Sequence, residues 1–516
     1  MIALDYKINF QLEKADRIPQ LHERVADRMY NLFTSNGGLY IKIGQAIGAN
    51  AALMPRPMQV KFARLFDDAP QIPYSSILTV FRSEFGRPPA GLDGVFEVFE
   101  EKAIATASVA QVHRAKLKSG EWVAVKVQKP DVSKQIEWDL GAFRMVMWMF
   151  ENWIFDLPVY FAVDFITNHL RQELDFVQEA QNASVTAAFI AAEPRLVEKV
   201  HIPKVYPEYS TKKVLTAEWI DGVRLSDLVA IRRLMGREDL PIPGIYPPLE
   251  GVRLKGGVKL IMQTMVELFS AQMFSWGWVH CDPHPGNIII RPHPSNPTHP
   301  QLVLLDHGLY VRVRESFRRE YATLWRGLLA ADWNAIEGVT RSWGIGAPDL
   351  FAGVTLMRPV RSREKRGNGS GEMKLNQYEQ SMRMKAKLRG FLVDTDKMPK
   401  ELIFLGRNMR IVQGNNQALG SPVNRIKITG YWASRSLTTP TNLKFTQRAK
   451  ERWHYLIFRG IMLSIDLAFW ASKVHQWGRR MLGMSNMGFE DELERTMRGL
   501  AKSTFGVDVA PGAFEG

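Results

Sequence analysis

The spacing of apolar residues changes several times along the chain, and those changes divide it. Residues 11 to 90 carry apolar positions at helical intervals, with breaks near Pro55 and Pro57 and around Pro70 to Pro73. From Val95 the period shortens. Val95, Val98 and Phe99 lead into small residues and then Gln111-Val112-His113. Ser119-Gly120 supplies a turn, and Trp122-Val123-Ala124-Val125-Lys126-Val127 follows. This predicts two strands joined by a hairpin. Helical spacing returns from Val132 to about Ala192, and short strands are expected near Val205 to Tyr206 and Lys213 to Trp219. Pro241 to Pro248 holds four prolines and one glycine and reads as a loop. Lys259 to Gly277 reads as an apolar helix, followed by two short apolar runs, Asn287 to Ile290 and Leu302 to Leu305. Arg358 to Gly371 is basic and contains Gly and Ser, as a solvated loop does; the rest is mainly helical.

Strands early, helices late and polar motifs at the join predict a two-lobed α+β protein. The expected divisions are 1–92, a helical extension; 93–222, a first lobe; 223–345, a second lobe; and 346–516, a C-terminal helical region. A chain of 516 residues is too long for one simple core, which agrees.

Composition adds less. The hydrophobic fraction is 46% and the charged fraction 23%, both ordinary for a globular protein. The net charge of +14, from 67 basic and 53 acidic residues, favours anionic partners: a nucleotide, nucleic acid or an acidic membrane surface. The single cysteine, Cys281, excludes an intrachain disulfide framework and reads as a small packed residue. Met1 to Phe10 lacks a signal-peptide pattern, because Asp5 and Lys7 interrupt the apolar residues. The nearest approach to a membrane span is Ile461 to Ala471, broken by Ser464 and Asp466. Arg459, Lys473, Arg479 and Arg480 flank it, with Trp470 and Trp477 close by. A buried helix of the C-terminal bundle is the favoured reading, and an interfacial helix with basic anchors is the alternative.

The sharpest chemical signal is Val279-His280-Cys281-Asp282-Pro283-His284-Pro285-Gly286-Asn287, followed by Leu305-Asp306-His307-Gly308. A carboxylate and an amide sit five positions apart on a proline-stiffened loop, and a second carboxylate follows an apolar strand. Phosphoryl transfer needs such groups: one Asp orients or deprotonates the nucleophile, while Asn and another Asp hold Mg²⁺ against phosphates. The order and spacing match the kinase signature set. Gly308 is expected to let the backbone turn sharply after Asp306. A zinc reading of His280, Cys281, Asp282 and His284 is weaker, since no second His/Cys pair lies nearby. His280 itself reads as a packed, hydrogen-bonded residue.

Lys126 ends an alternating β-run, a position from which its ammonium can reach nucleotide phosphates. It then needs a carboxylate, and Gln172 to Ala180 offers Glu173, Asp175 and Glu179. Upstream, where a kinase carries a glycine-rich loop, this chain has Ala105-Thr106-Ala107-Ser108-Val109-Ala110, without glycine. Side chains at every position restrict close backbone approach, so the phosphate geometry should differ from that of ordinary kinases.

Together these residues resemble the UbiB/aarF-domain family of atypical kinase-like proteins. That family has an alanine-rich loop, similar to Ala105 to Ala110, and an N-terminal Lys-x-Gly-Gln element, similar to Lys42-Ile43-Gly44-Gln45. Its Glu-x-Asp motif is matched by Glu173-Leu174-Asp175, and Asp306-His307-Gly308 resembles the metal motif of its mitochondrial members. The likeness spans about residues 30 to 340.

The resemblance implies a two-lobed protein kinase-like fold with an N-terminal helical extension and extra C-terminal helices. It implies that Lys126 binds phosphates and pairs with Glu179, that Asp282 is catalytic, and that Asn287 and Asp306 hold Mg²⁺. Residues 105 to 110 would lie against ATP. Lys42 and Gln45 would lie over the cleft as regulatory residues, with Lys42 near Glu173 and Asp175. The implied activity is Mg²⁺-dependent ATP binding with slow hydrolysis, or phosphotransfer to a small or lipid-like molecule, in mitochondrial, membrane-associated lipid or quinone homeostasis. Nucleic acid is not an expected partner. A catalytically silent nucleotide-binding scaffold and a protein kinase are the alternatives. Relatives usually carry targeting sequence ahead of the point where this chain begins.

Three departures qualify this. Cys281 stands where protein kinases carry an Arg that reads activation-loop phosphate. His307 replaces the usual Phe. After Tyr310 the chain enters Val311-Arg312-Val313-Arg314 and then helix, with no Ala-Pro-Glu segment.

Overall fold

The computed structural model describes residues 2–37, 40, 41, 44, 56–63, 71–107, 109–149, 151–152, 160–236, 254–330, 332–356, 394, 396–437, and residues 460, 463, 467, 470, 471 and 474. Its strands are β1 (Val98–Phe99), β2 (Ala105–Thr106), β3 (Ala110–Lys116), β4 (Trp122–Gln128), β5 (Val200–His201) and β6 (Val214–Glu218). β7 (Val223–Arg224), β8 (Trp278–His280), β9 (Ile288–His293), β10 (Asn296–Leu304) and β11 (Tyr310–Arg312) follow.

The first lobe is an antiparallel sheet in the order β1–β3–β4–β6, with β2 on β3. The hairpin read from the sequence is β3–β4, and Gly120 turns it with φ 94°. Alternation along β4 sets the chemistry of the lobe. Val123, Val125 and Val127 are buried and pack with Phe81, Phe96 and Phe99, while Ala124 and Lys126 take the opposite face. Phe81 comes from helix Tyr74–Phe85, which stops at Gly86 in the left-handed conformation, φ 68°.

The helical spacing read from Val132 to about Ala192 belongs to more than one helix. Helices Pro130–Met149, Val163–Gln172 and Phe176–Ala191 occupy it. The last break falls at Asp175, whose extended backbone (φ −103°, ψ 98°) starts a new helix. Period alone could not reveal the break, because apolar residues continue across it. Of the strands expected after it, Lys213 to Trp219 is β6, and Val205 makes an isolated bridge to Ala217.

The second lobe is built on helix Gly257–Ala271, which continues through a π-helical turn, Gln272–Trp276, and ends at Gly277. Gly277 has φ 63°, and a β-carbon there would sit 2.9 Å from the Val313 carbonyl oxygen. Beside this helix lies a sheet ordered β5–β10–β9–β7, and β8 pairs with β11. The apolar runs at 287–290 and 302–305 are β9 and the end of β10. Strands β5, β7, β8 and β11, two or three residues each, went unanticipated because they are too short for a period to show.

Helices Glu401–Ala418 and Arg425–Leu437 join this same lobe. Leu405, Val412 and Trp432 are buried in one cluster with Met265, Phe269, Phe274 and Trp325. The N-terminal helices have a core of their own, in which Tyr6, Leu21, Val25, Phe33 and Phe62 meet.

Most of the segment expected as a buried helix near residue 461 lies outside the described residues. Leu463, Leu467, Trp470 and Val474 are helical and 63%, 65%, 71% and 50% exposed, so the described residues of this segment are not core. No helix among the described residues is long and apolar enough to cross a membrane. Pro241 to Pro248 and Arg358 to Gly371 lie outside the described residues.

Candidate nucleotide site

Lys126 projects from the face of β4 opposite the apolar core and meets Glu179. Its Nζ donates to Glu179 Oε1 and Oε2, both at 2.8 Å, and lies 3.7 Å from Asp306 Oδ2. It also sits 5.1 Å from the centre of the Phe176 ring, a cation–π distance. Burial acts to lower the lysine's pKa, but the charges of Asp306 and Glu179 outweigh it and hold the pKa above its ordinary value. Lys126 is therefore an ammonium held between two carboxylates from distant parts of the chain.

Helix Phe176–Ala191 delivers Glu179 because of how it starts. Asp175 Oδ1 accepts from the backbone N–H groups of Val177 and Gln178, capping the first turn that carries Glu179. Glu179 is 2% exposed, so its alignment with Lys126 is enforced by packing as well as charge. Gln128, also on the cleft face of β4, donates to the Leu174 carbonyl and ties the linker before the cap to the sheet. The structure thus gives Asp175 a helix-capping task. Glu173 is buried. Lys42 and Gln45, expected to meet these two acids, lie outside the described residues.

The metal motif follows β10. Main-chain pairing places Asn287 opposite Leu305, the residue before Asp306: Ile288 registers with Leu304, and Leu305 N–H donates to the Asn287 carbonyl at 2.9 Å. Asp306 Oδ1 accepts from Gly308 N–H at 2.9 Å, and its Oδ2 faces Lys126. A β-carbon at Gly308 would lie 3.2 Å from Asp306 Oδ1. The backbone bends at Gly308, as expected from sequence, without a positive φ, and the glycine serves close approach to Asp306.

His280 links the two aspartates. Its Nε2–H donates to the Asp306 carbonyl at 2.7 Å, and its Nδ1 accepts from Asp282 N–H at 3.0 Å. A carbonyl cannot donate, so the proton sits on Nε2 and the ring is neutral, in line with burial lowering its pKa. His307 is similar. Its Nε2–H donates to the Leu304 carbonyl, its Nδ1 accepts from the Tyr310 hydroxyl, and burial lowers its pKa to about 3. Where a kinase packs Phe, this chain buries a neutral, hydrogen-bonded imidazole. Both His280 ring nitrogens are engaged, and His284 Nδ1 accepts from Gly286 N–H. Among the described residues no group of three His, Cys, Asp or Glu is arranged to hold a metal ion. An Asn–Asp pair completed by phosphate oxygens fits Mg²⁺, a hard cation that keeps few protein ligands.

Asp282 has a partner that sequence reasoning missed. Arg407 Nη2 lies 3.1 Å from Asp282 Oδ1, with the two side chains 12% and 19% exposed. Cys281, next to it, is buried against Leu309, Val311 and Phe404, and burial raises its thiol pKa. It is a packed residue, as expected from its sequence context. No motif announces Arg407, because its helix lies over 100 residues beyond the loop it touches.

The alanine-rich segment forms the β2–β3 connection. Ala105 and Thr106 are β2, Ala107 N–H donates to the Ala110 carbonyl at 2.8 Å, and Val109 and Ala110 are buried. Ser108 lies outside the described residues.

Comparison with known proteins agrees with this arrangement. Residues 64–340 match the model of the ABC1 atypical kinase-like domain. The chain is 40% identical over 496 residues to the ABC1 family protein lscO of Purpureocillium lilacinum, covering 92% of this chain and 81% of that one. It is 39% identical to an ABC1 family protein of Schizosaccharomyces pombe, covering 87% and 79%. It is 31% identical to the AarF domain-containing protein kinase 1 of Xenopus tropicalis, covering 78% and 72%. With its kinase-like lobes, its motifs in order and more than half its length matched, the chain belongs to the ABC1 atypical kinase-like family.

Proposed function

We propose that this protein binds ATP with Mg²⁺ between its lobes and either hydrolyses it slowly or passes the γ-phosphoryl group to a small or lipid-like acceptor. The observation that carries this reading is the approach of Lys126 Nζ to both Glu179 and Asp306. An ammonium so placed donates to phosphate oxygens, and Glu179 fixes its position. Asn287 and Asp306 would hold Mg²⁺, which supplies charge neutralisation to the phosphates. Asp282 orients the attacking hydroxyl or water and accepts its proton. The bond from the acceptor oxygen to the γ-phosphorus forms as the bond to the β,γ-bridging oxygen breaks.

A small acceptor is favoured over a protein by the short path after the metal motif. β11 pairs back onto β8, and six residues separate Gly308 from the helix that begins at Glu315. That leaves no segment between them on which to lay out a peptide.

The membrane-associated part of the reading draws on the exposed row Leu463, Leu467, Trp470 and Val474, set among Arg459, Lys473, Arg479 and Arg480 in the sequence. A mitochondrial setting and a part in lipid or quinone homeostasis follow from the family resemblance and belong to the same proposal.

The test is ATP turnover by wild type and Asp306→Asn, with and without vesicles containing anionic lipid. Turnover that needs Mg²⁺ and Asp306 supports the reading. Equal background rates in both proteins would make the chain a silent nucleotide-binding scaffold, and efficient phosphorylation of a peptide library would make it a protein kinase.

A further inference from the structure

Helix Glu401–Ala418 lies outside the matched residues 64–340, yet it bears directly on the catalytic loop. Three of its polar side chains reach three residues within a stretch of four. Asn408 Nδ2 donates to the His280 carbonyl at 2.5 Å, Arg407 Nη2 meets Asp282 Oδ1 at 3.1 Å, and Asn415 Nδ2 donates to the Pro283 carbonyl at 3.4 Å. Phe404, one turn before Asn408, packs with Cys281. The side chains that touch the loop span three turns of one helix, so the loop rests on a rigid surface.

The loop cannot supply its own cation. From His280 to Ile290 the sequence contains no Lys or Arg, and His284 is occupied in capping the turn that follows it. A carboxylate that must present one oxygen to a nucleophile needs its other oxygen fixed, or it rotates between orientations. Arg407 meets that need. It takes Oδ1 with a planar guanidinium whose fork of donors suits a carboxylate. Its Nε is buried and has no hydrogen-bond partner, so Arg407 is not fully satisfied by the resting protein.

We propose that Arg407 is a positioning residue for phosphoryl transfer, acting through Asp282: it fixes the carboxylate's orientation and makes helix 401–418 part of the catalytic unit. This rests on the reading of Asp282 given above.

The experiment compares wild type with Arg407→Gln and Arg407→Lys in the full chain, measuring ATP turnover, ATP affinity and thermal melting. In Arg407→Gln, kcat should fall about 10- to 100-fold while KM for ATP stays within about twofold. Arg407→Lys should recover part of the loss, since a point charge replaces a fork. An unchanged kcat in a folded Arg407→Gln protein would overturn the proposal. So would parallel loss of turnover and ATP affinity, which marks a merely structural residue. If wild type itself shows no turnover, the functional reading fails, and a melting cycle of Arg407→Gln, Asp282→Asn and the double variant still decides the pairing. Non-additive melting shifts sustain it, and additive shifts overturn it.

Discussion

Two aspartates of the cleft are held by cations of different origin. Asp306 faces Lys126, a motif lysine on a strand of the first lobe that is itself fixed by Glu179. Asp282 faces Arg407, which no motif includes and which arrives from a helix beyond the matched domain. The first pairing is built by local rules: strand alternation aims Lys126, and a capped helix aims Glu179. The second is built by tertiary packing alone. Motif residues thus specify which groups do the chemistry, while the helices that hold them steady can lie elsewhere in the chain and carry no signature.

Breaking each end separately sharpens this contrast. The largest effect is expected for Asp282→Asn, which keeps the shape of the side chain but not its basicity. Turnover should fall by about 10²- to 10⁴-fold with ATP affinity retained, measured by steady-state kinetics beside a binding titration. Loss of affinity as well would place Asp282 on the nucleotide rather than on the nucleophile. Next is Lys126→Met. It strands the buried Glu179, and denaturant unfolding should show a loss of about 3–5 kcal/mol, or less where Glu179 protonates instead. A neutral result would mean that the pairing is not maintained in solution.

A smaller effect is expected at the other end. Asn408→Leu leaves the His280 carbonyl without its Asn408 donor, and the protein should lose about 1–3 kcal/mol by the same measurement. ATP affinity should hold, because the phosphate end is untouched. Mild acid gives the smallest effect. An unfolded chain protonates His307 near its ordinary pKa, whereas the folded ring stays neutral down to about 3. The unfolded state therefore binds more protons between those limits, and stability falls as pH falls. From pH 7 to pH 6 the loss should be on the order of 1 kcal/mol, and His307→Gln should flatten that slope in a melting series.

Much of the Lys126–Asp306 region was legible in the sequence, because period and spacing report local geometry. Alternation around Lys126, the five-residue step from Asp282 to Asn287 and the return at Asp306 all survive in the structure. Asp175 shows the limit. The same short acidic residue that suits a cleft also suits a helix N-cap, and only the backbone at 173–176 decides between them. The exposed residues of 460–474 show another limit. An apolar stripe says that a helix has something to bury but not against what. Arg407 was invisible for a third reason: a contact between residues 125 positions apart has no periodic trace.

The central claim is that Lys126, Asn287 and Asp306 gather around one metal-chelated triphosphate, and an ATP titration with Mg²⁺ and again with chelator tests it most directly. Wild type should bind clearly more tightly with Mg²⁺, and Asp306→Asn should lose that difference. Affinity that ignores both the metal and the substitution, or no binding at all, would contradict the account.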